Sequence, residues 1–106
     1  MFVAWTTVAL RKDANKLAAS TVKAGLAVCV QVDGPISSHY RWKGKLHRDE
    51  EFRLSFKCLP DNIVALERHV LEHHPYDTPE WIVMKAEHVG EKYLSWARST
   101  DTNQPL

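Results

Sequence analysis

The chain has 106 residues, enough for one domain with a modest core and too few for two. Hydrophobic residues make up 44% and charged residues 25%, the balance of an ordinary folded domain rather than a disordered chain. The net charge of +1 supplies no broad basic field, so neither nucleic acid nor an anionic membrane is expected as a partner.

Residues 2–9 are apolar and β-branched and carry no charge, which predicts a buried strand near the centre of a sheet. Ala14, Leu17, Ala18, Thr21 and Val22 then recur at helical spacing, with Gly25 placed to end the helix in the left-handed region. The longest coherent stretch follows, from Leu26 to Cys58. Its outgoing arm alternates through Val28, Val30 and Val32, and its return arm through Phe52, Leu54 and Phe56. This period of two predicts one long antiparallel hairpin, turning at Gly44 and bent or bulged at Gly34-Pro35.

Pro60-Asp61-Asn62 opens a second helix, capped by Asp61 or Asn62, with Ile63, Leu66, Val70 and Leu71 as its apolar stripe. Pro75 ends it near His73 or His74. A turn at Tyr76-Asp77-Thr78-Pro79 leads to a strand over residues 81–86, expected to be covered on both faces. Gly90 introduces a short third helix carrying Tyr93, Leu94, Trp96 and Ala97, and residues 99–106 form a polar tail. The domain thus spans residues 1–98.

The order β-α-β-β-α-β plus a C-terminal helix predicts a ferredoxin-like α+β fold, both main helices on one face of a four-stranded antiparallel sheet. The other face then lacks a cover. A hairpin arm of about 16 residues reaches roughly 50 Å if straight, whereas a compact chain of this length has a diameter near ~35 Å. Both arguments point to an oligomer.

Cys29 and Cys58 stand in neither a CxxC nor a zinc-like spacing and are read as reduced thiols on opposite faces of the hairpin. No apolar run approaches the roughly 20 residues of a membrane span. Residues 2–8, broken by Thr6 and Thr7 and followed by Arg11 and Lys12, do not read as a signal peptide, so a cytoplasmic protein is expected.

Three stretches carry chemical potential. Residues 73–80 bring His73, His74, Tyr76, Asp77 and Glu80 to one corner, and imidazoles suit copper, zinc and nickel. Neighbours on a helix do not face one another, so His73 and His74 converge only if His74 leaves the helix. His69 and His73, four apart, form a second candidate pair. The plain alternative is a solvated helix end whose histidines complement the C-terminal dipole. At the hairpin tip, Tyr40, Trp42, Lys43 and Lys45 fit either an anionic ligand or intersubunit packing, and packing is preferred. Lys57 is expected to pair with Glu50, Glu51 or Glu80. No nucleophile elbow, phosphate loop or paired-carboxylate pattern is present, and Ser38 and His39 point to opposite faces of a strand, so no enzyme is expected.

Leu26-Ala27-x-Cys29-Val30, Tyr40-x-Trp42-x-Gly44-Lys45, Lys57, His74-Pro75-Tyr76-x-Thr78-Pro79-Glu80 and Tyr93-Leu94-x-Trp96 occur in order and together resemble the divalent-cation-tolerance family CutA. The resemblance runs from about Val3 to Ala97. It implies a tight, PII-like homotrimer with clefts between subunits near Tyr40, Trp42, Lys45, Lys57, His74, Tyr76 and Glu80. It also implies a link to tolerance of copper and other divalent metals, with His73 and His74 as metal ligands and no required cofactor. Copper-binding bacterial members place a cysteine at the end of the first strand. Here that position is Thr6, a poor substitute for a thiolate. The leading reading is a trimeric binding protein for a divalent cation or small ligand. A scaffold that organises a partner protein without useful metal binding comes second, and an enzyme using Lys45, Lys57, His74 and Glu80 last.

Overall fold

The computed structural model describes residues 1–99, so all but Ser99 of the expected polar tail lies outside the described residues. The elements run β1 (Phe2–Val8), α1 (Arg11–Lys23), β2 (Cys29–Trp42), β3 (Lys45–Cys58), α2 (Ile63–His73), β4 (Ile82–Lys85) and α3 (Glu91–Arg98). The sheet order is β2-β3-β1-β4, every neighbouring pair antiparallel. This is the ferredoxin-like split βαβ arrangement with an added C-terminal helix.

Each element follows from local chemistry. Gly25, at φ 73°, closes α1: its N–H donates to the Val22 carbonyl and that of Leu26 to Thr21. Those two bonds are the Schellman pattern, which needs a residue at ease with positive φ. The turn of the hairpin is two residues, Lys43 (φ 49°) and Gly44 (φ 74°), the geometry that matches strand twist. Gly34 marks the bulge, where pairing shifts from Asp33↔Arg53 to Ile36↔Glu51. A Cβ at Gly34 would lie 2.7 Å from Phe52 Cδ1, so no side chain fits there. Arg11 fastens α1 to this point, donating to the Gly34 carbonyl at 3.0 Å with its guanidinium 4.7 Å from the Phe52 ring centre.

Even-numbered residues of β1 and β3 share the helix-facing side. Ala4, Thr6, Val8, Leu54, Phe56 and Cys58 are buried there beneath Ala14, Leu17 and Thr21 of α1 and Leu66 and Val70 of α2. Val22 and Leu71, expected in the helix stripes, are instead about 45% exposed, at the edges of those faces. Helix α2 starts through a 3-10 turn at Pro60–Asn62, and neither expected cap residue makes a side-chain cap. Asn62 instead donates to the Gly25 carbonyl at 3.5 Å.

Strand β4 is shorter than expected and is not covered on both faces: Ile82 and Met84 are 48% and 54% exposed. They share the uncovered face with Val3, Trp5 and Cys29, as register dictates. Beyond the bulge the hairpin leaves the body of the molecule. Residues 39–50 are all exposed, and the chain measures 48 × 27 × 24 Å. Both cysteines are free, Cys58 in the core and Cys29 on the opposite face, as the parity of the hairpin requires.

Candidate functional site

A cleft of about 690 Å³ opens between the hairpin and the corner that follows α2. Thr7, Ser38, His39, Tyr40, Trp42 and Asp49 line it together with Glu51, Tyr76, Thr78 and Glu80. Three carboxylates and three aromatic rings face it, and no lysine or arginine is among its walls. Tyr40, Trp42, Tyr76 and Glu80 are therefore gathered as expected. Lys45 stays at the exposed tip. Lys57 shares the odd-numbered face of β3 with Glu51 and Asp49 but stands six residues from Glu51, at the far end of the strand, where its ammonium donates to Gln31 Oε1. The expected ion pair with Glu50, Glu51 or Glu80 is thus replaced by a diagonal cross-strand contact. Among the described residues the one ion pair is Arg53–Asp33, at 2.9 Å.

The back wall of the cleft is a fixed polar chain. Thr6 is fully buried, and its hydroxyl donates to the Glu80 carbonyl at 2.6 Å, tying the corner to β1. His74 leaves the helix with extended backbone, ψ 136°, because Pro75 disfavours the α conformation before it. The Tyr76 N–H donates to His74 Nδ1 at 3.1 Å, so the ring proton sits on Nε2. That N–H donates to the Thr7 carbonyl at 3.0 Å, with Thr6 Oγ1 also at 3.0 Å. Burial holds the His74 pKa below its ordinary value, against the Thr7 bond and the nearby Glu51 charge. The Tyr76 ring meets the His74 ring edge-on at 4.9 Å, and its hydroxyl donates to Glu51 at 2.9 Å. Burial, then the Glu51 bond, push the Tyr76 phenol far above its usual range, so it stays a donor. Tyr40 makes the parallel contact to Asp49, which raises its pKa as well.

His73 and His74 are not brought together. His73 Nδ1–H donates back to the His69 carbonyl at 2.7 Å, and its ring packs on His69 at 4.4 Å between centres. His73 lines a separate cavity with Asp13, Lys16, Leu17, Ser20 and Pro75. Both nitrogens of His74 are spent on protein partners. The ligand set of a cysteine and two imidazoles is therefore not reproduced, since Thr6 and His74 are bonded to one another and His73 turns to the other side of the corner. Among the described residues, no three His, Cys, Asp or Glu side chains are grouped to hold a metal ion.

Asp49 was absent from the expected site, and Glu51 entered only as a partner for Lys57. Counting back from the two-residue turn pairs Ser38 with Asp49 and puts Asp49 diagonal to Tyr40, so hairpin register carries that signal. The contact of Glu51 with Tyr76 joins residues 25 apart in sequence and leaves no local trace.

Residues 2–100 match the family model described as CutA1 divalent ion tolerance protein. The chain is similar to the chloroplastic CutA protein of Arabidopsis thaliana, 37% identical over 95% of this chain. It spans 56% of the length of that relative. It is also similar to the divalent-cation tolerance protein CutA of Yersinia pestis, 38% identical over 83% of this chain and 74% of that one. The solved structure of CutA from Synechococcus elongatus is 37% identical, with a TM-score of 0.86 over 90% of this chain and 84% of that one. CutA1 from Oryza sativa is 35% identical, with a TM-score of 0.87 over 92% and 89%. Fold, motif string and family match agree, and the chain belongs to the CutA1 divalent ion tolerance family.

Proposed function

We propose that this protein acts in divalent metal tolerance as a homotrimer that binds a divalent cation, copper included, or a small ligand at clefts between subunits. The observation that carries the reading is the wall of the cleft: Asp49, Glu51 and Glu80 set among Tyr40, Trp42 and Tyr76, with His39 beside them and no lysine or arginine to compete. Carboxylate oxygens suit divalent cations, and aromatic faces favour cationic ligands. The described residues of one chain group too few ligands for a tight metal site, so a neighbouring subunit completes the cleft. The projecting hairpin and the apolar uncovered sheet face supply the contacts for that neighbour.

No catalytic role is assigned to His74, because both of its nitrogens are engaged in fixed bonds. Cells lacking the protein should grow less well in elevated copper or zinc, and the wild-type chain should restore growth. A Glu51→Gln, Glu80→Gln chain, produced at equal level, should not. Full restoration by that variant would remove the cleft from the function and favour the scaffold reading.

A further inference from the structure

The imidazoles of α2 pair differently from the way residue order implies. Their partners show which nitrogens are available. His73 gives its Nδ1 proton to the His69 carbonyl at 2.7 Å, which leaves the lone pair on Nε2. His69 Nε2 lies 3.0 Å from Ser20 Oγ on α1. The Ser20 hydroxyl also lies 3.0 Å from the Leu17 carbonyl, three residues back in its own helix. A carbonyl only accepts, so the hydroxyl proton goes there and the Ser20 oxygen accepts Nε2–H from His69. That network leaves the His69 lone pair on Nδ1. Among the described residues neither His69 Nδ1 nor His73 Nε2 has a hydrogen-bond partner.

Residues four apart on a helix are surface neighbours, and these two rings lie 4.4 Å apart with a 35° tilt. An ion bound at about 2.0–2.1 Å to two adjacent nitrogens needs them roughly 3 Å apart, so the rings must turn from this near-stacked arrangement to bring their free nitrogens together. His69 is partly buried and held by Ser20, whereas His73 is exposed. Each ring is thus held through one nitrogen, His69 by Ser20 and His73 by the His69 carbonyl, and offers the other. A cavity of about 170 Å³ beside His73, bounded by Asp13, Lys16, Leu17, Ser20 and Pro75, leaves room for the remaining water ligands. The Glu72 carboxylate acts on His69 and favours a cation, with Lys16 opposing it from α1. Burial and the neighbouring His73 lower the His69 pKa, which keeps the ring neutral and its lone pair available.

We infer that His69 and His73 form a two-imidazole chelate for a late first-row divalent cation on the side of α2 that borders α1, with Cu(II) preferred. Neutral nitrogen donors follow the Irving–Williams order, which puts Cu(II) above Ni(II) and Zn(II). The site lies outside the cleft and does not depend on what the cleft binds. Because the chelate spans one helical turn, the bound ion also holds the last turn of α2 in place just before the Pro75 corner.

The test uses the full chain and Cu(II) alone. Substoichiometric Cu(II), a paramagnetic ion, should broaden the imidazole proton resonances of His69 and His73 together, before those of His39, His47, His74 and His88. By calorimetry, His69→Ala and His73→Ala should each weaken binding on the order of a hundredfold, the low end of what joining two binding groups confers. His74 needs no substitution, because its resonance in the wild-type chain reports directly. Joint broadening of His73 and His74, with wild-type affinity in His69→Ala, would overturn the pairing in favour of the adjacent histidines. Broadening confined to His39, or to Met1 through its terminal amine, would overturn it in favour of the cleft or the chain end. Should either variant fail to fold, the wild-type spectrum alone decides among these results.

Discussion

His74 Nε2 lies 3.0 Å from Thr6 Oγ1, and that contact joins the helix-to-strand corner to the end of the first strand. Thr6 is fully buried and passes its own proton to the Glu80 carbonyl. One hydroxyl therefore serves two segments of the cleft wall. Thr6→Val keeps the shape and removes both bonds, leaving the Glu80 carbonyl short of a donor. The expected loss of stability is about 1–3 kcal/mol, the cost of an unsatisfied buried polar group. Thr6→Ser keeps the hydroxyl and should lose only about the ~0.8 kcal/mol of one buried methyl-sized group. Denaturant midpoints of the three chains give the comparison. Equal midpoints for valine and wild type would show that the corner is held by packing instead.

Two histidines set the acid side of the stability profile. Burial lowers the pKa of both His74 and His69 in the folded chain. In the unfolded chain each titrates near its ordinary ~6.5. The unfolded state then binds more protons in the window below ~6.5, so stability is complete above it and falls as pH drops through it. His74→Gln removes one of the two groups and should flatten the slope below about pH 6.5. A slope unchanged by that substitution would place the acid sensitivity elsewhere.

The cysteines should differ in reactivity. Cys58 is fully buried, and burial pushes its thiol up to about 11. Its thiolate is therefore scarce at neutral pH, and the reagent cannot reach it. Cys29 is partly accessible on the uncovered face. A thiol reagent at pH 8 should modify Cys29 first in the native chain and Cys58 only on unfolding. Trimer assembly over that face would slow Cys29 as well. Two equally fast thiols would contradict the burial of Cys58.

The fold was largely legible because its signals are local. Alternation through Val30, Val32, Phe52, Leu54 and Phe56 placed the hairpin, and Gly25, Gly44 and Pro75 marked where helices and turns end. Exposure of β4 was misjudged because an apolar run reads alike whether a partner subunit or the same chain covers it; Ile82 and Met84 are bare in the isolated chain. The aromatic half of the cleft was legible from Tyr40, Trp42 and Tyr76. The Thr6–His74–Tyr76–Glu51 chain was not, since it joins three segments through tertiary contacts. Lys57 was drawn toward the carboxylates by charge alone, whereas six residues of strand separate it from Glu51 and leave it beside Gln31.

Self-association is the claim on which the cleft reading rests, and the mass in dilute solution tests it most directly. The hairpin tip is exposed from residue 39 to 50, and Leu46, Trp42 and Tyr40 there are 82%, 54% and 43% exposed in the single chain. Such a patch is costly to leave in water. Light scattering at micromolar concentration should return a single species of about three times the 12.2 kDa chain, stable until denaturing conditions are reached. A folded, monodisperse species at 12.2 kDa would contradict the account, because no neighbouring subunit would then be present to complete the cleft.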